Sequence, residues 1–173
     1  MGWSITGDVP RQLTKYIIIA APHSSNFDFI IGLLVRSVLN FKSGFLGKKE
    51  LFRFPFGILF RKLGGYPVDR SVSSKVVEQV VELIKKEEHF VLAIAPEGTR
   101  RQVTRWKTGF YHIALQAGIP LVMAALDYEK RMVTFAEPLY LTGNTTTDEN
   151  AINDFFKNAK GKNHNAAPFL LSK

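Results

Sequence analysis

The chain contains no cysteine. That absence excludes disulfide bridges, thiol nucleophiles and zinc sites built from thiolates. Histidine is also scarce, with four in 173 residues, and no group of His, Asp and Glu has the spacing of a metal site. We therefore expect a protein that holds neither a metal ion nor a resident cofactor.

Long hydrophobic runs are absent as well. No window approaches the roughly 20 apolar residues that a helix needs to span a bilayer, and no charged start followed by an apolar run marks a signal peptide. We therefore expect a cytoplasmic protein. Linkers, low-complexity segments and internal repeats are missing too. With 46% hydrophobic residues, residues 1–173 fit a single domain with one sizeable core.

Acidic residues are outnumbered, which gives a formal net charge of +8. Residues 41–70 hold seven basic residues against two acidic ones, interleaved with aromatic residues. Such a stretch can lie on an anionic membrane surface, where each Lys or Arg contributes about 1 kcal/mol. In the alternative, Phe54, Ile58 and Phe60 belong to the core and the charges are solvated; a mixture of the two also stays open. No nucleic-acid partner is expected, because no helix-turn-helix, zinc or RNA-binding motif is present.

Apolar periodicity predicts strands that alternate with helices. Strands are predicted near residues 3–6, 16–21, 44–47, 66–68, 90–95, 121–126 and 132–136. Helices are predicted at residues 27–38, at 50–63 with a bend at Pro55, from Ser73 or Ser74 to Ile84, at 109–117 between Thr108 and Gly118, and at 148–159. The fold class that follows is α/β: a single domain with a largely parallel or mixed central sheet flanked by helices, the last strand being a candidate for antiparallel pairing.

A polar motif, HSSNFD at residues 23–28, directly follows the apolar run at residues 16–21. On one continuous helix His23 and Asp28 would lie about 140° apart, and on one strand they would face opposite sides. A turn must therefore separate them, and Ser24, Ser25 and Asn26 are typical turn and capping residues. We predict a strand, a turn carrying His23, and a helix with Asp28 in its first turn.

This pair suits the removal of a proton from a hydroxyl group. A neutral imidazole can accept the proton, while a carboxylate on its other nitrogen fixes the tautomer and stabilises the imidazolium. General base catalysis of this kind contributes typically about 10²- to 10⁴-fold to a rate. The spacing alone also arises by chance, so a turn histidine beside a capping aspartate is the alternative.

Three further blocks follow, reading GGYPVDRS at residues 64–71, APEGTRR at 95–101 and IPLV at 119–122. With HSSNFD counted as the first block, these are the second, third and fourth. Because polar clusters at the carboxyl ends of parallel strands face one crevice, the HSSNFD and APEGTRR blocks should meet. In this order the blocks resemble those of the glycerolipid acyltransferase family, which includes lysophosphatidic acid acyltransferases, over about residues 16–128. The fourth block departs from the family pattern at Met123, where many relatives have a second proline, and we assign it no binding role.

The resemblance implies acyl transfer from a coenzyme A or acyl-carrier-protein thioester to the hydroxyl of a lysolipid such as 1-acylglycerol 3-phosphate, without a covalent acyl-enzyme. On this pattern His23 is the general base and Asp28 its orienting partner. The residues implied to bind the acceptor are Arg70, Glu97, Gly98, Thr99 and Arg100. Since a carboxylate repels phosphate, Glu97 is expected to orient an arginine or to accept from the acceptor hydroxyl.

The expected protein is thus a peripheral acyltransferase on the inner face of the membrane, with an apolar channel leading to His23. Trp106 and Phe110 could line that channel, although core packing is the simpler role for each. Two alternatives remain: a catalytically silent lipid-binding protein on the same scaffold, and a thioester hydrolase in which water replaces the acceptor alcohol.

Overall fold

One mixed sheet organises the computed structural model of the chain, which describes residues 2–68 and 73–171. The strands within these ranges are β1 (Ser4–Thr6), β2 (Lys15–Ala21), β3 (Gly44–Lys48), β4 (Gly65–Val68), β5 (Phe90–Ile94), β6 (Leu121–Asp127) and β7 (Met132–Phe135). The helices are α1 (Phe27–Val38), a 3₁₀ helix (Lys49–Phe52), α2 (Phe56–Lys62), α3 (Ser73–Lys86), α4 (Gly109–Ala117) and α5 (Thr145–Phe156).

The strand order is β1-β7-β6-β2-β5-β3-β4. Strands β6, β2, β5, β3 and β4 run parallel to one another, whereas β7 pairs antiparallel with β6 and parallel with β1. The predicted α/β class and mixed sheet are therefore confirmed, as are the antiparallel last strand and the strand predicted near residues 3–6. The short β6–β7 connection explains the reversal, because a parallel pair would need a long crossover.

Helices cover both faces of the sheet, and β2 shows how the sequence specifies this. Its side chains alternate: Ile17 and Ile19 join the core on the face of α3 and α4, while Tyr16 and Ile18 join the core on the face of α1. Because helices cover both faces of the sheet, neither set of β2 side chains faces solvent, and both sets are apolar. The sequence pattern of a continuous apolar run thus corresponds to a central strand.

The predicted helix at residues 50–63 is wrong in one respect. It consists of two separate pieces, the 3₁₀ helix and α2, with Pro55 between them at the start of α2. Proline has no N–H to donate, and it disfavours the helical conformation of the residue before it. Pro55 therefore separates two helices instead of bending one.

The predicted terminal helix at residues 148–159 is displaced. It spans Thr145–Phe156, because the Asn144 side chain accepts a hydrogen bond from the Thr147 N–H at 3.1 Å and caps the helix there. Thr108 precedes α4 as predicted, but its side chain makes no cap hydrogen bond. Gly118 ends α4 in the left-handed conformation (φ 65°), as glycine does at many helix ends. The side chains of Ser73 and Ser74 lie outside what the structure describes.

The aromatic and apolar side chains of residues 41–70 lie partly in the core and partly on the surface. Phe52 is buried, whereas Phe54 is 89% exposed and Phe56, Ile58 and Leu59 are also exposed. The alternative that places Phe54 and Ile58 in the core is therefore wrong, because both side chains are exposed to solvent. In the described part of the chain, no helix combines the length and hydrophobicity needed to cross a bilayer.

Candidate active site

The HSSNFD and APEGTRR motifs lie at the same edge of the sheet. Strands β2 and β5 are parallel neighbours, with Ile19 opposite Ile94, so the segments that follow them leave the sheet side by side. One direct contact between them is a hydrogen bond of 3.0 Å from the His23 backbone N–H to Glu97 Oε1. The expected meeting of the two motifs is thus observed, and parallel pairing is its cause.

His23 and Asp28 form a side-chain pair at this edge. The distance between His23 Nδ1 and Asp28 Oδ2 is 3.1 Å. The His23 side chain is 25% exposed, whereas that of Asp28 is 4% exposed. Asp28 lies in the first turn of α1, where its Oδ2 also accepts from the backbone N–H groups of Ser24 at 2.7 Å and Ser25 at 2.8 Å. The turn predicted between the two residues therefore bends around the carboxylate.

The Asp28 carboxylate is stabilised as an anion. Burial alone would raise its pKa, but hydrogen bonds from His23, Tyr128, Ser25 and Ser24 outweigh burial and hold the pKa below its ordinary value of 3.8. The Tyr128 hydroxyl donates to Oδ1, the oxygen that the other three donors leave unused. An ionised carboxylate on Nδ1 favours the imidazole tautomer that carries its proton on Nδ1. His23 Nε2, for which the described residues supply no hydrogen-bond partner, would then be able to accept a proton.

Glu97, the third residue of the APEGTRR motif, is buried beside this pair. It is 1% exposed, and its Oε1 is occupied by the His23 N–H. Burial raises the pKa of the Glu97 carboxyl, and the hydrogen bonds from backbone N–H groups offset this only in part. Its Oε2 has no hydrogen-bond partner within the part of the chain that the structure describes. The observed contact gives Glu97 a role in holding the turn, which the sequence motif did not indicate.

The remaining predicted binding residues differ in position. Arg100 reaches the other motif, where its Nη1 donates to Asn26 Oδ1. Gly98 adopts φ +66°, which favours glycine, and its N–H is used within the turn on Ala95 O at 3.0 Å. Thr99 accepts from the Arg101 N–H through Oγ1 at 3.3 Å. Arg70 lies outside the described residues.

Two residues that sequence reasoning missed hold the His23 turn from a distance. Tyr128, which follows β6, contacts Asp28 across 100 positions of sequence. The Asn163 side chain donates to Ser24 O at 2.6 Å, and its backbone N–H donates to Ser24 Oγ at 3.2 Å. Neither residue belongs to a motif or a periodic pattern, so the sequence carried no signal for either contact.

An apolar groove of about 1310 Å³ opens beside His23. On the α1 face of the sheet its lining includes Ala20, Gly32, Phe45 and Ala93. A Cβ added at Gly32 would meet no heavy atom within 4 Å, so there is open space beside this residue. Trp106 and Phe110 are buried in the core on the face of α3 and α4, so the expectation of core packing is confirmed, and both residues also contribute to the lining of this cavity.

The sequence that forms this site matches a known protein family. The model of the family described as Acyltransferase matches residues 4–127, which include both motifs. The chain belongs to the acyltransferase family. The matched residues end one position before Tyr128, so Tyr128 and Asn163, which contact Asp28 and Ser24, lie outside the match.

Two bacterial relatives of the chain are both described as 1-acyl-sn-glycerol-3-phosphate acyltransferases. A 1-acyl-sn-glycerol-3-phosphate acyltransferase of Haemophilus influenzae is 31% identical over 119 residues, which cover 65% of this chain and 48% of that protein. One of Escherichia coli is 30% identical over 111 residues, covering 61% and 44% of the two chains. The chain therefore spans about half the length of these relatives.

The fold itself recurs in a solved structure of an acyltransferase. The 1-acyl-sn-glycerophosphate acyltransferase PlsC of Thermotoga maritima superposes with a TM-score of 0.58 over 92% of this chain and 73% of that one, at 18% identity. At this level of identity the likeness establishes a shared fold.

Proposed function

We propose that the protein transfers a fatty acyl group from a coenzyme A or acyl-carrier-protein thioester to the hydroxyl of a lysolipid such as 1-acylglycerol 3-phosphate. The observation that carries the proposal is the His23–Asp28 pair, 3.1 Å apart, with both residues lining an apolar groove. Membership of the acyltransferase family and the names of the bacterial relatives support the substrate class.

In the proposed step, His23 Nε2 removes the proton from the acceptor hydroxyl. The hydroxyl oxygen forms a bond to the thioester carbonyl carbon, and the tetrahedral intermediate then breaks its carbon–sulfur bond. The leaving thiolate takes the proton back from the imidazolium, so no acyl-enzyme forms and no proton is lost. Asp28 stabilises the imidazolium, which is why a carboxylate with a lowered pKa suits this position.

Arg100 is the proposed binding group for the acceptor's phosphate. Its hydrogen bond to Asn26 keeps the guanidinium close to the turn that carries His23, and a guanidinium suits phosphate because it offers several donors in one plane. Arg101, which is exposed and next in sequence, adds positive charge nearby. Arg70 remains a predicted contributor from the sequence motif.

The groove is the proposed site of the acyl chain, and an anionic membrane surface is the proposed partner. Phe54, which lies just before α2, and Phe56, Ile58 and Leu59 of α2 are exposed to solvent. We call these four residues the α2 apolar patch. Exposed basic residues surround it in sequence: Lys42, Lys49, Arg53, Arg61 and Lys62. Apolar side chains that enter the interface, combined with positive charge beside anionic lipid, are typical of peripheral membrane binding.

The test uses purified protein with acyl-coenzyme A and acyl-carrier protein as separate donors and a panel of lysolipids, with the products identified by mass. We expect acyl transfer to a lysolipid, and we expect His23→Ala to lose at least about 100-fold in kcat, the lower end of what a general base contributes. His89→Ala, at an exposed histidine after α3, is the matched control and should retain wild-type turnover.

Each alternative predicts a distinct result in the same assay. Release of free fatty acid in the presence of every lysolipid would identify a hydrolase. Lipid binding without turnover of either donor would identify a catalytically silent protein. Wild-type turnover in His23→Ala, with an unchanged circular dichroism spectrum, would contradict the assigned base.

A further inference from the structure

We propose that Tyr128 is a positioning residue that acts on His23 through Asp28. The inference rests on the proposed function, since it concerns the residue assigned there as the general base. It begins with the two oxygens of the Asp28 carboxylate, which have different partners. Oδ2 accepts from His23 Nδ1 and from two backbone N–H groups, whereas the Tyr128 hydroxyl is the partner of Oδ1 among the described residues.

This division of donors holds the carboxylate in one orientation. The Asp28 side chain is 4% exposed, so solvent cannot readily replace a donor that is lost. Without the Tyr128 hydroxyl, Oδ1 would be a buried, charged oxygen with no partner, and the free energy of that state is high. The carboxylate would then rotate or take up a proton, and in either case Oδ2 would hold His23 Nδ1 less firmly.

Tyr128 is itself fixed from two sides, as a positioning residue must be. Its ring meets the Trp3 ring edge to face, with the centroids 4.9 Å apart and the planes at 89°. Its backbone N–H donates to Lys160 O at 2.7 Å. Burial, followed by the neighbouring Asp28 carboxylate, raises the pKa of Tyr128, so the hydroxyl keeps its proton and remains a donor.

The chain offers a matched control for the loss of such a contact. Tyr111 on α4 also donates from a phenol to a buried carboxylate, Asp148 Oδ2, at 2.9 Å. That pair helps to hold α5 near α4, away from His23. Tyr111→Phe therefore removes the same kind of hydrogen bond without touching the site.

The kinetic test compares Tyr128→Phe with Tyr111→Phe. We expect kcat of Tyr128→Phe to fall by about tenfold while KM for both substrates changes by less than about twofold, because binding groups are untouched. Tyr111→Phe should lower the unfolding temperature and leave kcat unchanged. In an Asp28→Asn background, Tyr128→Phe should cause no further loss. An equal loss in both backgrounds would show that Tyr128 does not act through Asp28 and would overturn the proposal.

A spectroscopic test separates this proposal from the proposed function, because it needs no turnover. In protein labelled with ¹⁵N at histidine, with the His23 signals assigned by their loss in His23→Ala, we expect one tautomer protonated on Nδ1. Tyr128→Phe should give a mixture of tautomers, and Tyr111→Phe should not. If Tyr128→Phe leaves the tautomer unchanged, the positioning role is refuted even if acyl transfer is confirmed; if acyl transfer fails, the tautomer still tests the geometry.

Discussion

At the scale of single residues, two buried carboxylates of the site have opposite pKa shifts. Both Asp28 and Glu97 are buried, yet the pKa of Asp28 is lowered and that of Glu97 is raised. The difference follows from their donors: Asp28 receives hydrogen bonds on both oxygens, whereas Glu97 Oε2 has no partner among residues 2–68 and 73–171. Burial raises the pKa of both groups, and only at Asp28 do the hydrogen bonds together outweigh it, so burial and donors jointly decide which side chain is a stable anion.

We predict that the Glu97→Gln variant changes the pH dependence of stability. Because the pKa of Glu97 is raised above its ordinary value of 4.5 in the folded protein, the folded state binds this proton more tightly than the unfolded state does. The wild-type free energy of unfolding should therefore decrease as the pH rises above 4.5, by at most about 1.4 kcal/mol per pH unit for one proton, and Glu97→Gln should lack this decrease.

Urea denaturation of both proteins between pH 4 and pH 8 measures this difference. The amide oxygen of the glutamine can still accept from the His23 N–H, so the fold should be retained, and circular dichroism checks this. The raised pKa would be contradicted if the free energies of unfolding of the two proteins differed by a constant amount over the whole pH range. It would also be contradicted if the wild type became more stable relative to the variant as the pH rose.

At the scale of elements, the pairing of β2 with β5 brings the two motifs together, and α1 forms one wall of the groove. Gly32 occupies the interior of α1 on the groove side, where a larger side chain would have room. Glycine lowers helix stability by about 1 kcal/mol relative to alanine, so its presence at this position is not explained by helix formation. Space for an acyl chain offers an explanation.

We predict that the Gly32→Leu variant prefers shorter acyl donors. The leucine side chain should occupy part of the groove, while the helix gains stability from the loss of glycine. Measurement of kcat/KM over a series of donors of increasing chain length should show a loss of about tenfold for the longest donor relative to the shortest, as expected when a few methylene groups lose their contacts. Ser37→Leu, which adds the same side chain at an exposed position of α1, is the control. If both variants keep the wild-type preference, the groove does not hold the acyl chain.

At the scale of the whole molecule, charge and exposed apolar surface coincide. The chain carries a formal net charge of +8, and Phe54 in the α2 apolar patch is 89% exposed. A soluble protein has little reason to expose a phenylalanine to this extent among basic residues, unless another surface covers it. The combination is what an anionic bilayer would attract.

We predict that Phe54→Ser weakens binding to anionic vesicles. Loss of one interfacial aromatic ring should reduce partitioning to phosphatidylglycerol vesicles by about tenfold, and added salt should reduce the binding of wild type and variant alike. Co-sedimentation measures both effects. Tyr140→Ser, at another exposed aromatic residue outside the α2 apolar patch, should bind as the wild type does. Equal binding of Phe54→Ser and wild type would remove the α2 apolar patch from the membrane contact.

Local patterns in the sequence determined much of this molecule. The alternation of strands and helices gave the α/β class. The five-residue spacing of His23 and Asp28 required a turn between them, and Gly118 marked the end of α4. These features depend on residues within one or two turns of chain, whose geometry backbone sterics and hydrogen bonding restrict to a few forms.

Only the tertiary structure decided the surroundings of the site. The contact of Glu97 with the His23 backbone, the Tyr128 hydroxyl on Asp28 and the Asn163 side chain on Ser24 join residues 74, 100 and 139 positions apart. No periodicity links such residues, because their contact follows from strand order and from the path of the chain after β6. A carboxylate's charge state depends on donors supplied by the whole fold, so it cannot be assigned from the motif that contains it.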